Sequence, residues 1–295
     1  MPSYLLVNRV SELRPKATLL KYGKNYAEFI IENITPAIAN SIRRAVLSEV
    51  PTLAIDEVVF LENSTAMFDE VIAHRLALIP LYIDKETYKV LKECYWEGKR
   101  EECTLLFTLE VEALGEPRVI YSSDLKYEGP LSSILPENIK VDIRPVSDKI
   151  PIIKLERGQK LILEAYARMG IGKDHAKWQP VSSSTYKYKP VIKLLNPVCN
   201  EDCEKCISVC PKGVFGIEDG KLKIIDPLSC TLCRACEEAC PDYIKVRWDE
   251  RTIIFKVETH GTLPLIEILS TAVESLERKL DELTEKLKNL VRAKV

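Results

Sequence analysis

The chain has 295 residues, enough for two or three domains that each bury a core. Hydrophobic residues make up 46% and charged residues 29%, the balance of a water-soluble globular protein. Its 42 basic and 44 acidic side chains leave a net charge of −2, which excludes a chain-wide basic field for nucleic acid. No apolar run approaches the roughly 20 residues of a membrane span. The opening residues, Met1-PSYLLVNRVSELRPK, lack the apolar core and small-residue cleavage site of an export signal. The expected compartment is the cytoplasm, where cysteines stay reduced. Only two glutamines, Gln159 and Gln179, accompany this many charges, a composition that leans towards a thermophile.

In chain order, Tyr26-AEFIIEN-Ile34 reads as a strand. Thr35 is a suitable N-cap and Pro36 fits a first helical position, so a helix starts there. Ile38, Ile42, Val46 and Val50 recur every four residues as one apolar stripe, with Arg43 and Arg44 outside it, and Pro51 ends the helix. From Leu53 to about Leu195 the chain is strand-rich. Candidate strands are Ala54-IDEVVFLEN, Cys103-TLLFTLEVEAL, Val119-IYSSDL, Lys140-VDIR and Gln159-KLILEAYARMG, punctuated by Gly, Pro, Asn and Ser. Two helical pieces interrupt them, Ala66-MFDEVIAHRLAL and the charged Lys85-ETYKVLKECYWEGKREE. After a cysteine-rich stretch, Arg251-TIIFKVET returns to strand and His260-Gly261-Thr262 makes a turn. From about Pro264 a long helix runs to the end. Its Leu265, Leu269, Ala272, Leu276, Leu280, Leu283, Leu287 and Leu290 follow in steps of three and four, close to a heptad seam. A stripe this long on an otherwise charged helix predicts a partner helix from another subunit. The plain alternative is an amphipathic helix lying on its own domain.

Eight of the ten cysteines fall within 42 residues. The first run is Cys199-NED-Cys203-EK-Cys206-ISV-Cys210-Pro211, and the second is Cys230-TL-Cys233-RA-Cys236-EEA-Cys240-Pro241. The second matches C-x2-C-x2-C-x3-C-P letter for letter, the pattern by which bacterial ferredoxins ligate iron–sulfur clusters. Soft thiolates suit cluster iron, and three of them two residues apart on a curling loop can reach corners of one cubane. In that pattern the fourth cysteine of each run crosses to the other run's cluster. The expected ligands are therefore Cys230, Cys233 and Cys236 with Cys210, and the expected cofactor is a [4Fe-4S] cluster, a [3Fe-4S] form staying open. The sister set, Cys199, Cys203, Cys206 and Cys240, departs from the pattern because three residues separate Cys199 from Cys203, so a second cluster there is an open question. Zinc sites rarely use this spacing, and a disulfide framework suits short secreted chains. Gly213, Gly216 and Gly220 with Lys221-LKIID make a short hairpin between the runs. Phe215 is the only aromatic residue from Cys199 to Cys240, so the region has a small core and the cluster is expected to act as a structural staple.

Four further stretches stand out: Asn33-ITPAIANSIRRAVLSEVPTLAIDEVVFLENST, Asp69-EVIAHRLALIPL, Leu163-EAYARMGIGKDHAKWQPVSSSTY and Phe255-KVETHGTLPLIEIL. Jointly they resemble the archaeal D subunit of DNA-directed RNA polymerase, a family similar to the eukaryotic third-largest subunit and to the N-terminal domain of bacterial α. That family commonly carries a ferredoxin-like insert, which the cysteine runs match. The resemblance implies an α+β fold in three parts: a split α-subunit-like dimerisation domain at 1–53 and 251–295, an inserted mainly-β domain at 54–195, and a ferredoxin-like iron–sulfur insert at 196–250. It implies that Ile38, Ile42, Val46, Leu265, Leu269, Leu276 and Leu280 face a smaller partner, subunit L, in a heterodimer. The physical reason is that two amphipathic helices expose stripes that one short sheet cannot cover, and burying them yields roughly 25 cal/mol per Å². Arg43, Arg44, His175, Lys177 and Trp178 are the expected docking residues towards the second-largest subunit and small zinc-binding subunits. For the arginines the alternative is a solvated helix face, and for Trp178 an anchor in the inserted domain's core. Direct DNA contact is expected to be slight, given the net charge.

The resemblance implies a non-catalytic assembly subunit of the transcription machinery. No Asp-x-Asp-x-Asp cluster and no phosphate-binding glycine loop occurs. The three histidines, His74, His175 and His260, are scattered, and His74, four residues after Glu70, reads as structural. No catalytic residue is expected on this chain. The rival from another class is an electron-transfer ferredoxin-type subunit of a redox complex, and a third reading makes the cluster a redox or iron sensor regulating polymerase assembly. Cys94 and Cys103 are expected to be free thiols, a disulfide being the alternative in a hyperthermophile.

Overall fold

The computed structural model describes residues 14–130, 134–135, 141–196, 198 and 203–292. In chain order the elements are β1 (Lys16–Gly23), β2 (Tyr26–Glu32), α1 (Pro36–Ser48), β3 (Thr52–Asn63), α2 (Asp69–Ala77), β4 (Leu81–Ile83), α3 (Lys85–Trp96), β5 (Leu105–Glu112), β6 (Arg118–Tyr121), β7 (Lys126–Pro130), β8 (Ile143–Pro145), β9 (Pro151–Leu155), β10 (Lys160–Gly170) and β11 (Val181–Leu194). They continue with α4 (Cys203–Ser208), β12 (Phe215–Glu218), β13 (Lys221–Ile224), α5 (Ala235–Ala239), β14 (Ile244–Thr259) and α6 (Leu265–Arg292). No helix among the described residues is long and apolar enough to cross a membrane.

The chain forms two compact units, one of residues up to 22, 27–41 and 185–256, the other of 23–26, 42–184 and 257–295. α6 falls in the unit that holds most of the β-rich segment, and the cysteine region in the unit that holds most of the first two strands.

The cysteine-bearing unit holds most of a sheet ordered β1-β2-β14-β11. Phe29 and Phe255 stack across β2 and β14 at 5.4 Å. Two of these strands were not expected. β1 is exposed along most of its length, so no alternation marks it. β11 carries Pro190 and a serine run, which argue against a central strand, yet β11 is an edge strand, where a proline is tolerated. β14 begins at Ile244, seven residues before the expected start.

The other unit is built on the antiparallel sheet β3-β10-β5-β7. β10 alternates strictly: Leu161, Leu163, Ala165, Ala167 and Met169 are buried, and the residues between them are part-exposed. In register, Leu161, Leu163 and Ala165 face Val111, Leu109 and Phe107 of β5. Pairs β4-β8 and β6-β9 complete this part. Side chains cap the starts of α1 and α3. Ile38 N–H donates to Thr35 Oγ1 at 3.4 Å on α1, and Asp84 caps α3 by accepting from the N–H groups of Glu86 and Thr87 at 3.1 and 3.0 Å. Burial raises the Asp84 carboxyl pKa, but hydrogen bonds from Thr87, Asp142 and Glu86 prevail and hold it below its ordinary value.

Cys94 and Cys103 are brought side by side, with Cα atoms 6.4 Å apart, a placement that favours the disulfide alternative over the expected free thiols. Both are buried, and the turn after α3 brings the helix end back to the start of β5. That Cα separation lies within disulfide reach.

Candidate metal centre and pairing helix

The cysteine region folds as α4, the hairpin β12-β13 and α5, with Phe215 facing Ile224 in the hairpin register. Its core gathers Cys206, Val214, Phe215, Leu222, Cys230, Cys236, Cys240, Ile244 and Val246. Glu237 ties α5 to β14: it accepts from Val246 N–H at 3.0 Å and pairs with Lys245 at 2.8 Å, and Lys245 first among these partners holds its carboxyl down to about 2.

Cys210, Cys230, Cys233 and Cys236 carry free thiols and line one small, partly enclosed hollow with Val214 and Phe215. This is the set expected from the second run plus the crossing cysteine of the first. Two non-glycine residues on the loop between these ligands, Leu232 and Arg234, have φ of 62°. Left-handed backbone at non-glycine positions costs about 1–3 kcal/mol each and persists where the surroundings impose it. Here it curls the loop around the hollow, and Leu232 N–H lies 3.4 Å from Cys230 Sγ. Cys230 and Cys236 are buried, Cys210 half-buried, and Cys233 exposed. Burial, then the neighbouring Cys230, Cys210 and Cys233, push the Cys236 thiol up to about 11. Four thiolates could gather here only with positive charge among them.

Among the described residues no three or more His, Cys, Asp or Glu side chains are grouped to hold a metal ion. In the sister set, Cys206 and Cys240 form a disulfide, their Cα atoms 5.9 Å apart, which removes both as thiolate ligands in this structure. The expected cross-run neighbours are thus brought together, but as a covalent pair. Cys199 lies outside the described residues, as does the side chain of Cys203.

Sequence reading missed Lys187, because β11 was not seen as a strand. Its Nζ donates to the carbonyls of Leu228 at 2.5 Å and Cys230 at 2.9 Å, on the loop entering the ligand run. Arg234, which also lines the hollow, lies over the Trp248 ring at 5.2 Å.

The second candidate surface is α6. Its first half is fastened within its own unit. Lys85 and Lys92 of α3, seven residues apart, pair with Glu267 and Glu274 of α6, also seven apart, at 2.6 and 2.7 Å. Arg278 covers the Trp96 ring at 4.4 Å, Ser275 Oγ donates to Glu49 O at 3.0 Å, and Lys279 pairs with Glu49 at 2.5 Å. From residue 277 onward every described residue is exposed, including Leu280 at 63%, Leu283 and Leu287 at 53% and Leu290 at 61%. The expected interface residues therefore separate. Val46 and Leu265 are buried in the chain's own core, Ile42, Leu269 and Leu276 are half-buried, and Ile38 and Leu280 are exposed.

The docking set separates too. Arg44 and His175 are exposed and Arg43 is half-buried. Lys177 turns inward: its Nζ donates to Ile55 O at 3.2 Å, pairs with Asp56 at 2.6 Å and lies over the Trp178 ring at 4.3 Å. Trp178 is buried, donates from its indole nitrogen to Arg168 O at 3.1 Å and packs flat on Gly170, where a Cβ would come within 2.4 Å of the ring. Trp178 thus sits as an anchor in the inserted domain's core. His74 is exposed on α2.

The RNA polymerase Rpb3/RpoA insert domain matches residues 55–207, which begins one residue from the expected start of the inserted domain. The mixed α+β architecture is thus that of an Rpb3/RpoA-type chain. Among similar proteins, the DNA-directed RNA polymerase subunit Rpo3 of Methanosphaera stadtmanae is 37% identical over 87% of this chain and 93% of its own length. Rpo3 of Archaeoglobus fulgidus is 36% identical over 92% and 98%, and that of Pyrobaculum arsenaticum 35% over 92% and 96%. The chain belongs to the Rpo3 family of DNA-directed RNA polymerase subunits.

Proposed function

We propose that this chain is a non-catalytic assembly subunit of a DNA-dependent RNA polymerase, working in the cytoplasm. It pairs through the free half of α6 with a smaller α-like subunit, subunit L, and carries one iron–sulfur cluster. The observation that supports pairing is the row Leu280, Leu283, Leu287 and Leu290, bare on a helix whose preceding turns are clasped in place. A leucine row at heptad steps is what a second helix covers, and covering it removes apolar surface from water. Arg44 and His175 stay available for the second-largest and small zinc-binding subunits. The test is co-expression with the smaller subunit. Leu283→Glu with Leu287→Glu should abolish co-purification while the circular dichroism spectrum stays that of the wild type. Undiminished pairing would sink the proposal.

The cluster is assigned to Cys210, Cys230, Cys233 and Cys236, and [4Fe-4S] is the form that uses all four. The support for a cubane, in which each iron takes one thiolate, is the C-x2-C-x2-C-x3-C-P spacing of the second run together with Cys210 in the same lining as Cys230, Cys233 and Cys236. When bound, the cluster supplies ligation energy to a small core. With Cys206 and Cys240 joined, only Cys199 and Cys203 would remain of the sister set, so one cluster is proposed. The exposed Cys233 marks the corner from which iron would be lost to give [3Fe-4S]. Electron transfer as the main function has no observation of its own in its favour.

A further inference from the structure

Lys187 stands where few lysines stand. It projects from the edge strand β11 and is half-buried, and its ammonium donates to two backbone carbonyls, those of Leu228 and Cys230. These carbonyls close a short turn, Pro227–Ser229, that delivers Cys230 to the hollow. The turn is capped at its other end by Asp226, which accepts from Ser229 N–H at 3.2 Å. The loop is therefore held at both ends, by an anion where amides point out and by a cation where carbonyls do. The buried Glu28 pairs with Lys256 at 3.3 Å. The Lys187 ammonium lies one backbone carbonyl from the Cys230 ligand. Four thiolates on a cubane carry net negative charge, which becomes more negative on reduction.

We propose that Lys187 is a positioning residue for the cluster: it locks the Cys230 loop in the ligating conformation and, by its positive charge, stabilises the reduced cluster. The inference rests on the cluster reading above. The two contacts do different jobs. The paired hydrogen bonds order the loop and slow cluster loss, while the charge raises the reduction potential. Residues that orient metal ligands from behind change metal affinity about 10–100-fold when removed.

The experiment uses the full chain, purified anaerobically as wild type, Lys187→Gln, Lys187→Met and Lys187→Arg. Iron and acid-labile sulfide are counted, cluster loss to a chelator is followed by visible absorbance, and the midpoint potential is measured by redox titration. Lys187→Met should lose its cluster at least about ten-fold faster than wild type, the low end of the range for such residues. The potential should fall in the Gln variant and stay near that of wild type in the Arg variant, because only Arg keeps the charge. A merely structural tie would leave Gln and Arg at one common potential, and that result overturns the charge role. Wild-type loss rates in the Met variant overturn the loop role. An iron-free wild type overturns the cluster reading and this inference with it, a result distinct from iron-loaded variants that behave alike.

Discussion

On the inner face of β3-β10-β5-β7, Leu105, Phe107, Leu109, Leu161 and Leu163 are all fully buried, and hydrocarbon meets hydrocarbon along the register. In the cysteine region four of the nine buried core residues are cysteines, and the one large ring is Phe215. The first region can be stabilised by burial, at roughly 25 cal/mol per Å² of apolar surface. The second has less such surface and gathers four thiols on a strained loop, and the cluster proposed above would add ligation energy there. On that proposal the two regions differ in what they depend on: packing in one, ligation in the other.

That contrast can be broken most severely by replacing Cys230, Cys233 and Cys236 with Ser together. Limited proteolysis should then cut freely between residues 203 and 243 while the inserted sheet stays resistant. Retained protection of the cysteine region would mean that its core suffices without metal. The reciprocal change is Phe107→Ala. It should destabilise the inserted sheet by about 3–5 kcal/mol in denaturant unfolding, with iron content unchanged. Iron loss in that variant would show that the two regions are not independent.

The smallest effect sharpens the packing side. Asp84→Ala removes the cap of α3 and should cost about 1–2 kcal/mol at neutral pH. Because the folded Asp84 pKa lies below its ordinary 3.8, its stabilisation is complete above that value and is lost as pH falls through the lowered one. The gap between wild type and variant should therefore narrow below pH 3.8. A gap constant down to lower pH would show that charge plays no part in the cap.

Much of this was legible in the sequence because the signals are local. Pro36 after Thr35 starts a helix, alternation in Gln159-KLILEAYARMG makes a strand, and the cysteine spacing names the four thiols that share the hollow. β11 was illegible because an edge strand relaxes the very rule, no proline, by which strands are recognised. Lys187 went unseen with it. Lys177 reads as a docking residue only through the family resemblance, and no local signal announces the Asp56 and Ile55 that meet it from 121 and 122 positions away.

By itself, the sequence determined the family landmarks, the long leucine-striped helix and the cysteine quartet, all properties of residues near one another in the chain. Only the tertiary structure decided which half of α6 is already covered, that Cys206 meets Cys240, and that a lysine from β11 reaches the loop of Cys230. Each of these depends on groups far apart in sequence meeting at contact distance. Their energies act over a few ångströms, and no local pattern encodes which distant partner will arrive.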